Sequence, residues 1–336
     1  MQSIVPPIIS QAVAILKQGG LVGMPTETVY GLGADARNPK ALEKIFQVKQ
    51  RPTNHPLIVH LADIAQLKEW ASVISPLAQC LADAFWPGPL TLILPKAGPV
   101  LDLVTGSQPS VGLRIPSHPV AQALLKAFGS GIAAPSANRF GRISPTTATH
   151  VREELGDAVD VILEGGSCEI GLESTIVDVT RGYPTILRPG IITATEIDSA
   201  LHRAHLPLLH ETIDSTPPRV SGSLKSHYAP QTPTKLLTTE EITLFLENIK
   251  THQLPLALMV KSPELFTQKK RQEDVQYVRM PLNFQGYAHD LYKILHELDN
   301  KNFKQIIIED VPLSPDWAAV RDRLLKASFK ESLIKL

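Results

Sequence analysis

Lysine, arginine, histidine, serine, threonine and asparagine are the side chains that hold phosphate and carboxylate groups. In this chain they recur on short stretches beside apolar, strand-like runs. The most suggestive stretch runs from Ile45 to His60, Ile-Phe-Gln-Val-Lys-Gln-Arg-Pro-Thr-Asn-His-Pro-Leu-Ile-Val-His. Asn38 followed by Pro39 reads as an N-cap with proline at the first helical position, and Leu42, Ile45 and Phe46 give one apolar face. Lys49 then falls in the last helical turn, and Pro52 stops the helix. Lys49 and Arg51 would face a sheet edge where an anion could sit; ordinary pairing of cations with a helix C-terminus is the competing reading.

Three further stretches have the same character. Pro25-Thr-Glu-Thr-Val-Tyr-Gly-Leu-Gly33 packs hydroxyls and glycines densely after a buried strand, which suits a loop whose backbone approaches a ligand closely, or a plain glycine-rich turn. Ser110-Val-Gly-Leu-Arg-Ile-Pro116 is a strand with one cation, Arg114, in an apolar run; if buried, that charge needs a partner or a ligand. Ala134-Pro-Ser-Ala-Asn-Arg-Phe-Gly-Arg-Ile-Ser-Pro-Thr146 carries hydroxyls, an amide and two arginines on one loop. Arg188, in Ile186-Leu-Arg-Pro-Gly190, is another lone cation in a strand.

The elements that must position these residues alternate. Helices are expected over 10–18, 63–70, 76–85, 120–128 and 147–155, and strands over 21–24, 57–61 and 90–94. Val161-Ile-Leu, the turn Glu164-Gly-Gly-Ser and Ser174-Thr-Ile-Val-Asp-Val179 read as strand, turn and strand. From Pro207 to Pro233 the residues are mainly Pro, Ser, Thr and other polar types without apolar period, the signature of a linker. Within it Ser226-His-Tyr-Ala-Pro230 holds an aromatic with no core of its own to join, which suggests docking. Beyond, strand-like runs (235–237, 256–260, 275–280, 305–309) alternate with helical ones (240–249, 286–298, 316–327), as in a small α/β domain. The expected division is therefore 1–206, a linker or lid over 207–233, and 234–336.

Composition excludes several classes. Lys plus Arg and Asp plus Glu each total 33. Divided after residue 206, the halves hold 16 basic against 17 acidic residues and 17 against 16, so neither is a basic nucleic-acid binder by bulk charge, and no strong direct nucleic-acid binding is expected. Cys80 and Cys168 have no CxxC spacing, which argues against a disulfide scaffold or zinc site and for a reducing compartment. Cys168 lacks a positioned base and reads as an inert thiol. Residues 1–20 lack a basic start, Pro6 and Pro7 break the apolar run, and no stretch reaches membrane-spanning length, so a cytoplasmic, non-membrane protein is expected. His202, His205 and His210 lack a chelating spacing, and no metal site is expected. Lys269-Lys-Arg271 reads as a solvated helix end or loop. Gly31-Leu-Gly33-Ala-Asp-Ala36 fits G-x-G-x-x-A, but the ribose-binding acid expected about 20 residues later is missing. There is no G-x-x-x-x-G-K-[ST] loop either.

Taken together, Pro25-Thr-Glu-Thr-Val-Tyr-Gly-Leu-Gly33, Lys49-Gln-Arg51, His55-Pro-Leu-Ile-Val-His60, Ser136-Ala-Asn138 and Ser174-Thr-Ile-Val-Asp178 resemble the YrdC-type threonylcarbamoyl-AMP synthases. The K-x-R and S-x-N pair is that family's signature. The likeness spans roughly residues 4–200, and His227-Tyr-Ala-Pro with the C-terminal α/β stretch resembles the longer two-domain form. His55 stands where asparagine is as readily expected, and Val220-Ser-Gly-Ser-Leu stands where a Pro-Gly-Met type of linker is common.

The resemblance implies an α/β fold: a YrdC-like twisted mixed sheet, a linker and a small Rossmann-like α/β domain. It implies an enzyme that makes L-threonylcarbamoyladenylate and pyrophosphate from L-threonine, bicarbonate or carbon dioxide, and ATP with Mg2+. The product would pass through downstream tRNA threonylcarbamoyl-transfer proteins to tRNA. By the same resemblance Thr28, His60, Arg114, Ser136 and Ser174 hold threonine, with Arg114 on its carboxylate. Lys49, Arg51, His55, Ser110, Asn138, Ser144 (or Thr146), Arg188 and Tyr228 surround the nucleotide, and Lys49, Arg51, Ser136 and Asn138 carry the catalytic assignment. Two other classes compete: a YrdC-like RNA-binding module without turnover, and a carbamoyl-phosphate-dependent carbamoyl-transfer enzyme. Neutral charge counts against the first, and the absence of an acylphosphatase-like or zinc-finger segment against the second.

Overall fold

The structure is a computed structural model that describes residues 6–210, 217–224, 226–250, 253–267 and 274–329. The Lys269-Lys-Arg271 run and part of the expected linker (211–216 and 225) lie outside the described residues. The chain forms two compact units, Met1–Phe140 with Ser144–Ser223, and Gly141–Ile143 with Leu224–Leu336.

In the first unit the strands are β1 (Val22–Met24), β2 (Gly31–Asp35), β3 (Ile58–His60), β4 (Leu90–Pro95), β5 (Ser110–Arg114), β6 (Ile132–Ala133), β7 (Val161–Ile162), β8 (Thr175–Asp178) and β9 (Thr185–Arg188). They form one mixed sheet in the order β7-β1-β2-β6-β3-β5-β4-β8-β9. β3 and β5 are parallel and put His60 opposite Arg114, while β4 runs antiparallel to β5 and parallel to β8. Arg114 therefore sits in the sheet interior, the setting in which a lone cation most needs a partner. Buried Val59, Leu92, Leu113 and Val177 are part of one core with Leu42, Ile45 and Phe46 of the helix Pro39–Lys49. Each such side chain stabilises the fold by about 1.5–3 kcal/mol when fully buried.

That helix starts as expected, with the Asn38 side chain accepting from the N–H groups of Lys40 and Ala41. Its end differs: Gln50 adopts a left-handed conformation (φ 52°) and Arg51 N–H returns to the Phe46 carbonyl, so the helix has closed before Pro52 is reached. The G-x-G-x-x-A stretch is strand β2, antiparallel to β1, and not a phosphate-binding turn. Its glycines admit neighbours instead: a Cβ on Gly31 would come within 3.0 Å of the Ala134 Cβ, and one on Gly33 within 3.1 Å of Ile132. The two strands expected within 161–179 both form, but they do not pair with each other. β7 pairs with β1 and β8 with β4, at opposite sides of the sheet. The chain between them crosses the sheet's end, burying Leu172 and Glu173 on the way.

The second unit has strands β10 (Thr234–Leu237), β11 (Leu256–Val260), β12 (Val275–Arg279) and β13 (Gln305–Glu309), all parallel, in the order β10-β13-β11-β12. The helices Thr239–Glu247, Phe284–Asp299 and Ala318–Ser328 flank them. β11 is buried at every position, as expected of a parallel central strand. Gly141–Ile143, expected with the first domain, count with this unit, where Arg142 pairs with Asp299 at 3.0 Å.

Candidate active site

Backbone hydrogen bonds draw together three stretches of the first unit that are distant in sequence. Tyr30 N–H donates to the Pro145 carbonyl and Ala137 N–H to the Tyr30 carbonyl, joining the loop after β1 to the loop after β6. Cys168 N–H donates to the Thr146 carbonyl and Ile170 N–H to the Glu27 carbonyl, adding the crossing segment. Thr28, Ser136, Asn138, Ser144 and Ser174 are all carried on these loops, and all but Ser136 are buried.

At the centre, Arg114 donates from Nη1 to Thr28 Oγ1 (2.9 Å), from Nη2 to Glu27 Oε1 (2.6 Å) and from Nε to the Gly88 carbonyl (3.2 Å). Glu27 is thus the buried partner that Arg114 requires, a residue the sequence reading quoted within its motif but gave no role. Beside it, burial and the neighbouring Arg114 charge push the His60 imidazole down to about 3. His60 is therefore neutral at physiological pH, and its buried Nδ1 has no hydrogen-bond partner among the described residues. Thr91 Oγ1 lies 2.7 Å from Ser174 Oγ, and Arg188 donates to both Ser174 oxygens, to Oγ at 3.0 Å and to the carbonyl at 2.9 Å. Ser144 donates to Glu173 Oε1 at 2.5 Å, and Thr146 lies against His150.

The cationic side forms around Lys49. Its Nζ donates to the carbonyls of Ser136 and Asn138, so a buried ammonium clamps the S-x-N loop from below. Burial, then the nearby Arg51 charge, holds the Lys49 ammonium well below the usual lysine range. Phe140 N–H donates to the Lys49 carbonyl (2.7 Å), placing the Phe140 ring between Arg51, 5.5 Å from its centroid, and the edge of His55, 5.1 Å centroid to centroid. Burial and the charges of Arg51 and Arg219 lower His55 from the usual imidazole range. Arg51 Nη2 donates to the Pro56 carbonyl (2.9 Å) and Ser221 Oγ (3.1 Å), and Arg188 Nη1 to the Ser221 carbonyl (3.1 Å). Ser110 lines a small adjoining cavity of about 20 Å³ with Ile58, Ile93, Gly112, Ile176 and Val220.

Two features of the expected linker are therefore ordered. Val220 is buried against Ile93 and Ile176, and Ser221 meets two cations. Tyr228 belongs to the second unit and does have a core to join: it is buried, tilted against Tyr292 at 5.8 Å, with the Arg323 guanidinium 5.1 Å from its ring centre. Sequence reasoning passed over Glu27, Thr91, Glu173, Phe140 and Ser221. For Glu27 a signal existed, since a cation in a central strand demands a carboxylate.

Mixed-sheet topology, a clamped S-x-N loop and a following parallel α/β unit define a two-domain YrdC-type architecture. The family model Sua5_yciO_yrdC, described as telomere recombination, matches residues 14–190. The model Sua5_C, described as threonylcarbamoyl-AMP synthase, C-terminal domain, matches residues 192–328. Threonylcarbamoyl-AMP synthase from Bacillus subtilis is 36% identical over 329 residues, covering 96% of this chain and 93% of its own length. The Pyrococcus abyssi enzyme of the same name is also 36% identical, over 94% and 93%. A crystal structure of Pyrococcus abyssi Sua5 complexed with L-threonine has a TM-score of 0.83 and 34% identity, covering 95% of this chain and 94% of that one. The chain belongs to the threonylcarbamoyl-AMP synthase family, in its two-domain form.

Proposed function

We infer that the protein is an L-threonylcarbamoyladenylate synthase, a nucleotidyltransferase acting on L-threonine, bicarbonate or carbon dioxide, and ATP. The observation that carries this reading is the convergence, in one unit, of Arg114, Arg188 and the Lys49-clamped Ser136–Asn138 loop. Such an arrangement neutralises and aligns anions without offering a nucleophile, and this reaction asks for alignment and charge stabilisation. Threonine's amine adds to carbon dioxide with loss of a proton, or condenses with bicarbonate with loss of water, to give a carbamate. A carbamate oxygen then attacks the α-phosphorus in line, and the bond to pyrophosphate breaks.

In this reading Arg114 takes the threonine carboxylate, and Thr28, neutral His60, Ser136 and Ser174 surround its hydroxyl, methyl and amine. Lys49, Arg51, His55, Ser110, Asn138, Ser144 and Arg188 serve the nucleotide. Among the described residues no three His, Cys, Asp or Glu side chains gather as a metal cage. Magnesium bound with ATP would be held mainly by phosphate oxygens and water and would neutralise phosphate charge. We assign catalysis to residues 1–206 and to 207–233 a covering role that slows hydrolysis of the adenylate. Residues 234–336 form the separate α/β domain. No helix among the described residues is long and apolar enough to cross a membrane; we place the enzyme in the cytoplasm, delivering its product to tRNA-modifying proteins.

The test is mass spectrometry of the purified chain incubated with ATP, magnesium, threonine and labelled bicarbonate. Label appearing in threonylcarbamoyl-AMP is the expected result. RNA binding with a steep salt slope and no turnover, or label entering only when carbamoyl phosphate is supplied, would overturn it.

A further inference from the structure

We propose that Glu27 is the positioning residue for carboxylate recognition, orienting Arg114 so that its remaining N–H groups receive the amino acid. This deepens the reading that Arg114 binds the threonine carboxylate and rests on it. A guanidinium has five N–H groups in a rigid planar fork. In Arg114 the Nε–H goes to the Gly88 carbonyl, one Nη1–H to Thr28 and one Nη2–H to Glu27. That leaves one N–H on each terminal nitrogen, the two atoms that meet a carboxylate in a bidentate pair.

Glu27 is itself immobilised. Its Oε2 accepts from the Ser117 N–H at 3.2 Å and its backbone carbonyl from the Ile170 N–H at 2.8 Å, so the segment after β5 holds its side chain and the crossing segment its backbone. The ion-pair side chains are each 4% exposed. An arginine so buried cannot swing between solvent and site, and its direction is set by its acceptors, of which Glu27 is the charged one. The carboxylate has a second effect. It cancels most of the Arg114 charge before substrate arrives, so a ligand is selected for presenting two oxygens at the right spacing and not merely for being an anion. ATP and pyrophosphate, present at the same site, are the anions such a device must reject.

The experiment compares turnover of L-threonine with that of L-threoninamide, which lacks only the carboxylate charge, by pyrophosphate release in the full chain, with folding followed by circular dichroism. For Glu27→Gln the KM for threonine should rise about tenfold or more while the KM for ATP changes less than about threefold, and the preference for threonine over threoninamide should fall about as far. A merely structural role would lower both substrates together and leave the ratio intact. Glu27→Asp keeps the charge but withdraws it by one methylene, and should give a smaller shift in the same ratio. It carries the test alone should Glu27→Gln not fold. Arg114→Lys separates the two levels. If it collapses the ratio while folded Glu27 variants keep the wild-type ratio, the positioning role fails and the carboxylate reading stands. If Arg114→Lys leaves the ratio unchanged as well, both fail.

Discussion

The two units treat the same kind of chemistry in opposite ways. In the second, β11 and β13 are neighbours whose onward connections leave in different directions, β11 to β12 and β13 to the helix Ala318–Ser328 beside β10. The carboxyl end of such a pair is where open α/β sheets bind ligands. Here the place is taken by the unit's own Glu309, whose carboxylate accepts from the N–H groups of Lys261 (2.6 Å) and Ser262 (2.9 Å) and from the hydroxyls of Thr239 (2.8 Å) and Ser262. In the first unit, by contrast, buried cations are met mainly by neutral carbonyls and hydroxyls, with Glu27 the carboxylate on Arg114. Donors at strand ends are thus no guide to a site by themselves. What distinguishes the first unit is buried positive charge donating to carbonyls and hydroxyls on loops that meet at one place.

The largest expected effect follows from Lys49. Its ammonium makes two charge-assisted hydrogen bonds, each worth roughly 1.5–3 kcal/mol, so Lys49→Ala should cost about two decades or more in the rate of adenylate formation. Arg51→Ala, losing contacts at the edge of the site, should cost one to two decades on the same basis. Pyrophosphate-release kinetics on folded protein would decide. If either variant keeps full activity, the buried positive charge of the first unit is not what drives the reaction.

Substrate choice sharpens what that unit recognises besides charge. Threonine differs from valine by a hydroxyl and from serine by a methyl. If Thr28, Ser174 and neutral His60 receive the substrate hydroxyl as proposed, valine leaves polar groups unpaired, whereas serine leaves only a gap. Valine should therefore be turned over at least about tenfold less efficiently than serine. Equal efficiencies would mean that the hydroxyl is not bonded.

Tyr228 tests whether the second unit contributes to chemistry despite its self-contained sheet. If 207–233 has the proposed covering role, Tyr228→Ala should weaken ATP binding several-fold and leave the KM for threonine unchanged. Truncation after residue 206 should do so more strongly, since it also removes Val220 and Ser221. If neither change alters ATP affinity, 207–233 is only a tether.

Glu309 is the converse probe. Burial alone would raise its pKa, but the hydrogen bonds from Ser262, Lys261 and Thr239 outweigh this and hold it below the usual carboxylate range. With the folded pKa below the unfolded one, the carboxylate stabilises fully above the unfolded value and this contribution is lost as pH falls through the folded value. Glu309→Gln should lower unfolding stability at pH 7 by about 1–3 kcal/mol in urea titrations, lose most of that difference from wild type at low pH, and leave the KM for threonine unchanged. A changed KM would erase the distinction between the units.

Much of this was legible in the residues. The Asn38-Pro39 cap, the 3.6-residue period of 39–49 and the alternation beyond residue 234 are local signals, and the structure follows them. Pairing is not local: nothing in 161–179 says that β7 turns to β1 and β8 to β4, because both strands would look the same in a hairpin. β2 was hidden because glycine has low strand propensity, and only the close approach of Ala134 and Ile132 explains why it is needed there. The site's cations and hydroxyls were visible by type, and the resemblance sorted them. Their partners were not, since Glu27, Thr91 and Ser221 acquire meaning only when folding brings them to Arg114, Ser174 and Arg51. Tyr228 illustrates the same limit, its core being formed by Tyr292 and Arg323 far along the chain.

The smallest effect is a proton. Lys49 and His55 are held below their ordinary ranges by burial and by neighbouring positive charge, Arg51 in both cases. A triphosphate entering beside them favours their charged forms and must raise both pKa values, so binding should take up protons from solution. The sign is opposite for the terminal phosphate of ATP, which ionises near pH ~6 and can only release a proton on meeting cations. Calorimetric titration at pH 8 separates these contributions, because there the phosphate is already ionised and His55 remains largely neutral. Comparing buffers of different ionisation enthalpy should then show proton uptake to the extent that Lys49 gains a proton on meeting the triphosphate, and that uptake should be lost in Lys49→Met. Uptake that persists in Lys49→Met would place the titrating group elsewhere. No uptake in the wild type would mean that the two carbonyls of Ser136 and Asn138 already keep Lys49 charged, and that the first unit, like the second, answers this charge from within.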